Sequence, residues 1–132
     1  MRVLIVRLSS LGDVIHTVPV AAALRRQFPE ATIDWIANSN FTDLLSLVTS
    51  VDRRFALRSG SYLEIARWVR LRRELRNRQY DVALDVQGLL KSGFVAWLSG
   101  AKRVIGFSDR FLREKHARYF YDESVDLGEP VH

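Results

Sequence analysis

Arg2-Val3-Leu4-Ile5-Val6-Arg7 leads directly into Leu8-Ser9-Ser10-Leu11-Gly12 and then Asp13. The first of these stretches alternates and is rich in Val, Ile and Leu, the pattern of a buried strand. The second is a short polar loop with two serines and a glycine. From Asp13 the spacing changes. Val14, Val18, Ala21 and Ala22 recur at helical intervals, and Arg25 and Arg26 close the run. Strand, tight loop and helix in that order open a strand–helix–strand unit. Pro19 falls inside the helical run and predicts a kink or a local adjustment there.

The same alternation repeats outward from this unit. Residues 32–37 read as a second strand, with Ile33, Trp35 and Ala37 on one side and Ile36 on the other. A turn at Asn38-Ser39-Asn40 precedes a short helix over 41–48, and residues 51–57 form a third strand or extended stretch. Residues 61–78 predict a long helix with Ile65, Trp68, Val69, Arg72 and Leu75 on one face. Residues 80–86 are a fourth strand, 88–98 a helix ended by Gly100, and 102–105 a fifth strand. A polar loop over 107–117 leads to a last short strand within 119–125. Strands alternating with helices predict an α/β fold, an open parallel Rossmann-like sheet with helices on both faces. The whole chain, 1–132, reads as one such domain.

Sheets of this kind bind ligands beyond the carboxyl ends of their strands. In the strand order 3-2-1-4-5 the first and fourth strands are neighbours, so the loops at 8–13 and 85–92 face each other. In the first loop Gly12 allows a tight turn or a close approach to a ligand. Asp13 reads either as a helix cap or as a functional carboxylate. The loop lacks the glycine spacing and Lys-Ser/Thr ending of a phosphate-binding loop, and has one glycine where a dinucleotide fingerprint needs three. In the second loop Gln87 offers a donor and an acceptor, Gly88 opens the helix, and Lys91 sits in its first turn. That suits a polyhydroxylated or anionic ligand, and it equally suits a turn followed by a surface lysine.

The net charge is +5, and 17 of the 20 basic residues are arginine. Residues 58–118 hold 14 basic against 6 acidic side chains. Arginine matches phosphates and carboxylates in two-point contacts, so this excess suggests an anionic partner or, more simply, a solvated face. Arg58, Arg67, Arg70, Arg72, Arg73, Arg76 and Arg78 occupy more than one helical face, and a second basic group (Arg110, Arg113, Lys115, His116, Arg118) lies in the late loop. There is no cysteine, which excludes disulfides and thiolate metal sites. The three histidines lack metal-ligand spacing, so no metal is expected. No apolar run approaches a membrane span, and the start is too short and alternating for a signal peptide. A cytoplasmic location is the default expectation.

Residues 1–19, MRVLIVRLSSLGDVIHTVP, closely resemble the opening of the lipopolysaccharide heptosyltransferase I family, and residues 80–92, YDVALDVQGLLKS, resemble its second hallmark. The Arg113-Glu114 pair is also similar. The resemblance covers essentially the whole chain. It implies the N-terminal, acceptor-binding half of a glycosyltransferase with two Rossmann-like domains, the GT-B arrangement of glycosyltransferase family 9. The implied reaction is an inverting, metal-independent transfer of heptose from ADP-heptose to Kdo-bearing lipid A, with no cofactor. Asp13 is then the general base. Ser9, Ser10 and Gly12 shape the loop beside the reacting centre, and Gln87, Gly88, Lys91 and Arg113 contact the acceptor. The implied location is the cytoplasmic face of the inner membrane. The nucleotide-sugar domain is absent from these 132 residues, so the chain alone is expected to be inactive. Competing expectations are a non-catalytic module that binds anionic glycolipid, and a family member acting at another heptosyl step. Nucleic-acid binding would fit the charge, but no nucleic-acid motif is present.

Overall fold

A computed structural model describes residues 1–58, 65–107 and 114–125. Six parallel strands form one sheet in the order β3-β2-β1-β4-β5-β6. The strands are β1 (Arg2–Val6), β2 (Thr32–Asn38), β3 (Arg53–Leu57), β4 (Val82–Asp85), β5 (Arg103–Phe107) and β6 (Glu123–Val125). The helices between them are α1 (Leu11–Gln27), α2 (Thr42–Leu45), α3 (Ile65–Asn77) and α4 (Leu90–Leu98), with short 3₁₀ turns at Ser39–Phe41 and Lys115–Phe120. The order reverses between β1 and β4, as the sequence predicts for a doubly wound sheet.

β1 and β2 are central and covered on both faces, which is why they read as nearly continuous apolar runs. Successive side chains go to opposite layers. Leu4, Val6 and Ile36 join Leu71, Leu75, Ala83 and Val95 in one core. Ile5, Ile33 and Trp35 join Val14, Ala21, Leu45 and Val51 in the other. At the margins, β3 presents Arg53 and Arg54 to solvent and β6 is exposed throughout. Charged, exposed edges resist pairing with another chain.

Three expectations shift. First, α1 begins at Leu11 with Ser10 as its N-cap, so Asp13 lies inside the first turn rather than at the cap. Second, α1 continues through Pro19. Pro19 and Ile15 both face solvent, so the carbonyl that Pro19 leaves without a helical donor is on the wet side. Third, the buried stripe of α3 is Trp68, Leu71 and Leu75, whereas Ile65, Val69 and Arg72 are exposed, Ile65 at 74%. Helical geometry allows either 71 or 72 after 68, and the sheet takes the leucine. The first residues expected in this helix, and the loop at 108–113, lie outside the described residues.

Candidate active site

The first loop grows from β1 while its anchors come from β2 and β4. Arg7 donates its backbone N–H to the Ile36 carbonyl at 3.3 Å, and its own carbonyl accepts from the Trp35 indole at 3.2 Å. The Leu8 carbonyl accepts from the Asn38 amide at 2.9 Å. The Ser9–Ser10 peptide bond is cis. Asp13 then closes the first turn of α1. Its Oδ2 accepts from the Ser10 hydroxyl at 3.1 Å and the Ser10 amide at 3.5 Å, and pairs with the Arg7 guanidinium at 3.0 Å. Desolvation pushes the Asp13 pKa up, but the Arg7 charge and the Ser10 hydrogen bonds outweigh it and hold the carboxyl below the ordinary aspartate value. Asp13 is therefore a carboxylate at neutral pH. A Cβ added at Gly12 would meet nothing within 4 Å among the described residues, so their packing does not demand glycine there.

The second loop turns on Asp85. This residue is 1% exposed, and its Oδ1 accepts from the amides of Gln87 at 3.0 Å and Gly88 at 3.2 Å. Its Oδ2 accepts the Tyr121 hydroxyl. Burial raises the Asp85 pKa despite these donors, and burial, together with the Asp85 charge and hydrogen bond, raises that of Tyr121. Gly88 has φ of 77°, a conformation that favours glycine. Its carbonyl accepts from the Glu114 amide at 3.0 Å, and Glu114 Oε1 accepts from the Leu90 amide at 3.1 Å. The N-terminus of α4, expected to favour an anionic ligand, thus already carries a protein carboxylate.

The two loops meet through Gln87. It is 5% exposed, and its Oε1 accepts from the Leu8 amide at 2.6 Å and the Ser9 amide at 3.3 Å. Its Nε2 donates to the Ser9 hydroxyl at 3.4 Å. The family resemblance gives Gln87 and Gly88 to the acceptor; in the structure Gln87 clamps loop to loop and Gly88 makes a buried turn. Ser9, Ser10, Gly12, Asp13 and Gln87 are brought together. Lys91 lines an apolar groove with Trp68, Leu90, Phe94 and Phe120 on the outer side of α4. Arg113 lies outside the described residues. Among the described residues no group of three or more His, Cys, Asp or Glu side chains is placed to hold a metal ion. No helix among them is long and apolar enough to cross a membrane.

Sequence reasoning passed over Arg7, Glu114 and Tyr121 as site residues. Arg7 carried one signal, a cation ending a buried strand just before the loop. Tyr121 carried none, because its partner is 36 residues away.

The model for glycosyltransferase family 9 (heptosyltransferase) matches residues 68–130. Lipopolysaccharide heptosyltransferase 1 of Pseudomonas aeruginosa is 34% identical over 97% of this chain. The chain belongs to glycosyltransferase family 9. Among family relatives, lipopolysaccharide heptosyltransferase 1 of Salmonella typhimurium is 32% identical over the whole chain. The solved structure of E. coli heptosyltransferase WaaC with ADP superposes with a TM-score of 0.87 at 29% identity over the whole chain. A family 9 glycosyltransferase from Veillonella parvula, at 20% identity and a TM-score of 0.83, shares the fold. The chain spans 38% of the Pseudomonas relative, 44% of the Salmonella one and 43% of the WaaC chain.

Proposed function

We propose that this chain is the acceptor-binding domain of a lipopolysaccharide heptosyltransferase, and that Asp13 is the general base of the transfer. The observation that carries this is a carboxylate held charged in the first turn of α1, beside the β1/β4 reversal. The acceptor hydroxyl would lose its proton to Asp13 as its oxygen attacks the anomeric carbon of the heptose. The bond from that carbon to the diphosphate breaks, and ADP leaves with the electron pair. Asp13 becomes a neutral carboxylic acid and later returns its proton to solvent. A carboxylate stabilised by Arg7 and Ser10 is a weak base. It suffices when proton transfer is late, because the attacking oxygen has by then become acidic.

The donor, ADP-heptose, belongs in this reading to a second, C-terminal Rossmann-like domain. The acceptor is Kdo-bearing lipid A at the cytoplasmic face of the inner membrane. Ser9, Ser10 and Gly12 line the reacting centre, and Lys91 and Arg113 meet acceptor carboxylate or phosphate. The ligands named for WaaC support the donor part of this reading, since WaaC was solved with ADP and with ADP-2-deoxy-2-fluoro heptose. The test is Asp13→Asn in the full-length protein. Asparagine is nearly isosteric and keeps an oxygen for Ser10. Turnover of ADP-heptose should fall by on the order of 10²–10⁴-fold with acceptor binding little changed, while the melting temperature drops through loss of the Arg7 ion pair. Near-normal turnover would return Asp13 to a purely structural role at the start of α1.

A further inference from the structure

We propose that Arg7 is a positioning residue for this transfer: its guanidinium, held between the Val86 carbonyl and Asp13 Oδ2, fixes the Asp13 carboxylate in place. The proposal rests on the reading of Asp13 as the base. Arg7 is 8% exposed. Burying a guanidinium is costly unless its donors are matched. One arm, NH1, donates to the Val86 carbonyl at 2.6 Å, and the other, NH2, meets Asp13 Oδ2 at 3.0 Å. The Nε–H is buried without a hydrogen-bond partner among the described residues. A buried N–H left unmatched is unfavourable. The fold tolerates it in a geometry that carries the head group from the end of β1 to the carboxylate.

The stem of Arg7 is as constrained as its head. Both backbone polar groups of Arg7 bond to β2, so the side chain springs from the rigid sheet and not from the loop. The guanidinium therefore ties three pieces together: the end of β1, the residue that follows β4, and the first turn of α1. Its influence is electrostatic and geometric. Among the described residues, Arg7 acts on Asp13 as a charge from the sheet, and Ser10 as a local donor. His16 lies one turn along α1 and is exposed. On the β4 side stand the Val86 carbonyl and the Gln87 carboxamide.

The test is a carboxyl NMR titration of Asp13 in the 132-residue chain, comparing the parent with Arg7→Gln and Arg7→Lys. The Asp13 midpoint should rise in Arg7→Gln and stay near the parent value in Arg7→Lys, which keeps the charge. Should Arg7→Gln fail to fold, the parent chain itself serves. Added salt screens a partly exposed pair, so the Asp13 midpoint should climb with ionic strength. In the full-length protein Arg7→Gln should lower kcat by up to about 10²-fold, the scale of a misplaced catalytic group, with acceptor KM unchanged. The acid limb of its pH profile should move up with the Asp13 midpoint. A midpoint indifferent to both Arg7→Gln and salt overturns the proposal. If Asp13→Asn is inactive while that midpoint does not move, the Arg7 proposal fails alone. If Asp13→Asn keeps its turnover, the base reading fails and takes the purpose of Arg7 with it.

Discussion

Replacing Gln87 by alanine separates a clamp from a ligand contact. The 2.6 Å bond to the Leu8 amide is the strong one, and Leu8 is buried. Losing it strands a buried donor, at a cost of about 1–3 kcal/mol. The bonds to Ser9 at 3.3 and 3.4 Å are near the outer limit of hydrogen-bond geometry and add little. Loss of the buried side-chain methylene adds roughly 1 kcal/mol. The total is roughly 2–4 kcal/mol, which lowers Tm by roughly 6–16 °C for a domain of this size. Thermal melts by circular dichroism read this directly, and hydrogen exchange should show the Leu8 amide losing protection. Ser9→Ala removes only the longest bond and should cost less than about 0.5 kcal/mol. A Gln87→Ala chain that melts within a degree or two of the parent, with Leu8 still protected, would refute the clamp and free the carboxamide for a sugar.

Asp85→Asn tests the buried turn by pH. Burial raises the Asp85 pKa in the folded chain, so its contribution to stability is full below the unfolded value of 3.8 and declines as pH rises through the folded pKa. Urea melts across that window should show the parent losing ground to Asp85→Asn with rising pH, and an unchanging difference would contradict the assignment. At Gly106 an added Cβ would overlap the Tyr121 ring. Gly106→Ala should therefore cost about 1–3 kcal/mol and pull the Tyr121 hydroxyl off Asp85. Ultraviolet titration should then show one tyrosine ionising closer to its ordinary pKa of 10.0 than in the parent.

The sheet was legible because its logic is local and repetitive. The apolar runs at 2–7 and 32–37 could only be strands covered on both faces, and the helical stretches between them dictate parallel crossovers. The neighbouring loops followed from the strand order. Within those elements, legibility stopped where two choices were locally equivalent. On α3, residues 71 and 72 both continue the stripe from Trp68, and only packing against the sheet selects Leu71. At the site, the local pattern around Asp13 offered a helix cap or a functional carboxylate, and the family resemblance pointed to the second. Gln87 drew notice for its chemistry but was assigned to a ligand, since its partners Leu8 and Ser9 are 79 and 78 residues away. Glu114 was visible only as half of a familiar pair. Its bond to the Leu90 amide exists because residues 114–120 fold back over α4.

That fold-back also sets a schedule. Chains emerge from the ribosome N-terminus first, and β1, α1 and β2 can pack as they appear. The turn after β4 cannot be finished then. Its buried carboxylate waits for Tyr121, and the start of α4 waits for Glu114. Until those residues clear the exit tunnel, Asp85 lacks its phenol donor and the start of α4 lacks the Glu114 carboxylate. The crevice is therefore a late product of synthesis, completed by side chains that arrive after every strand flanking it has been made.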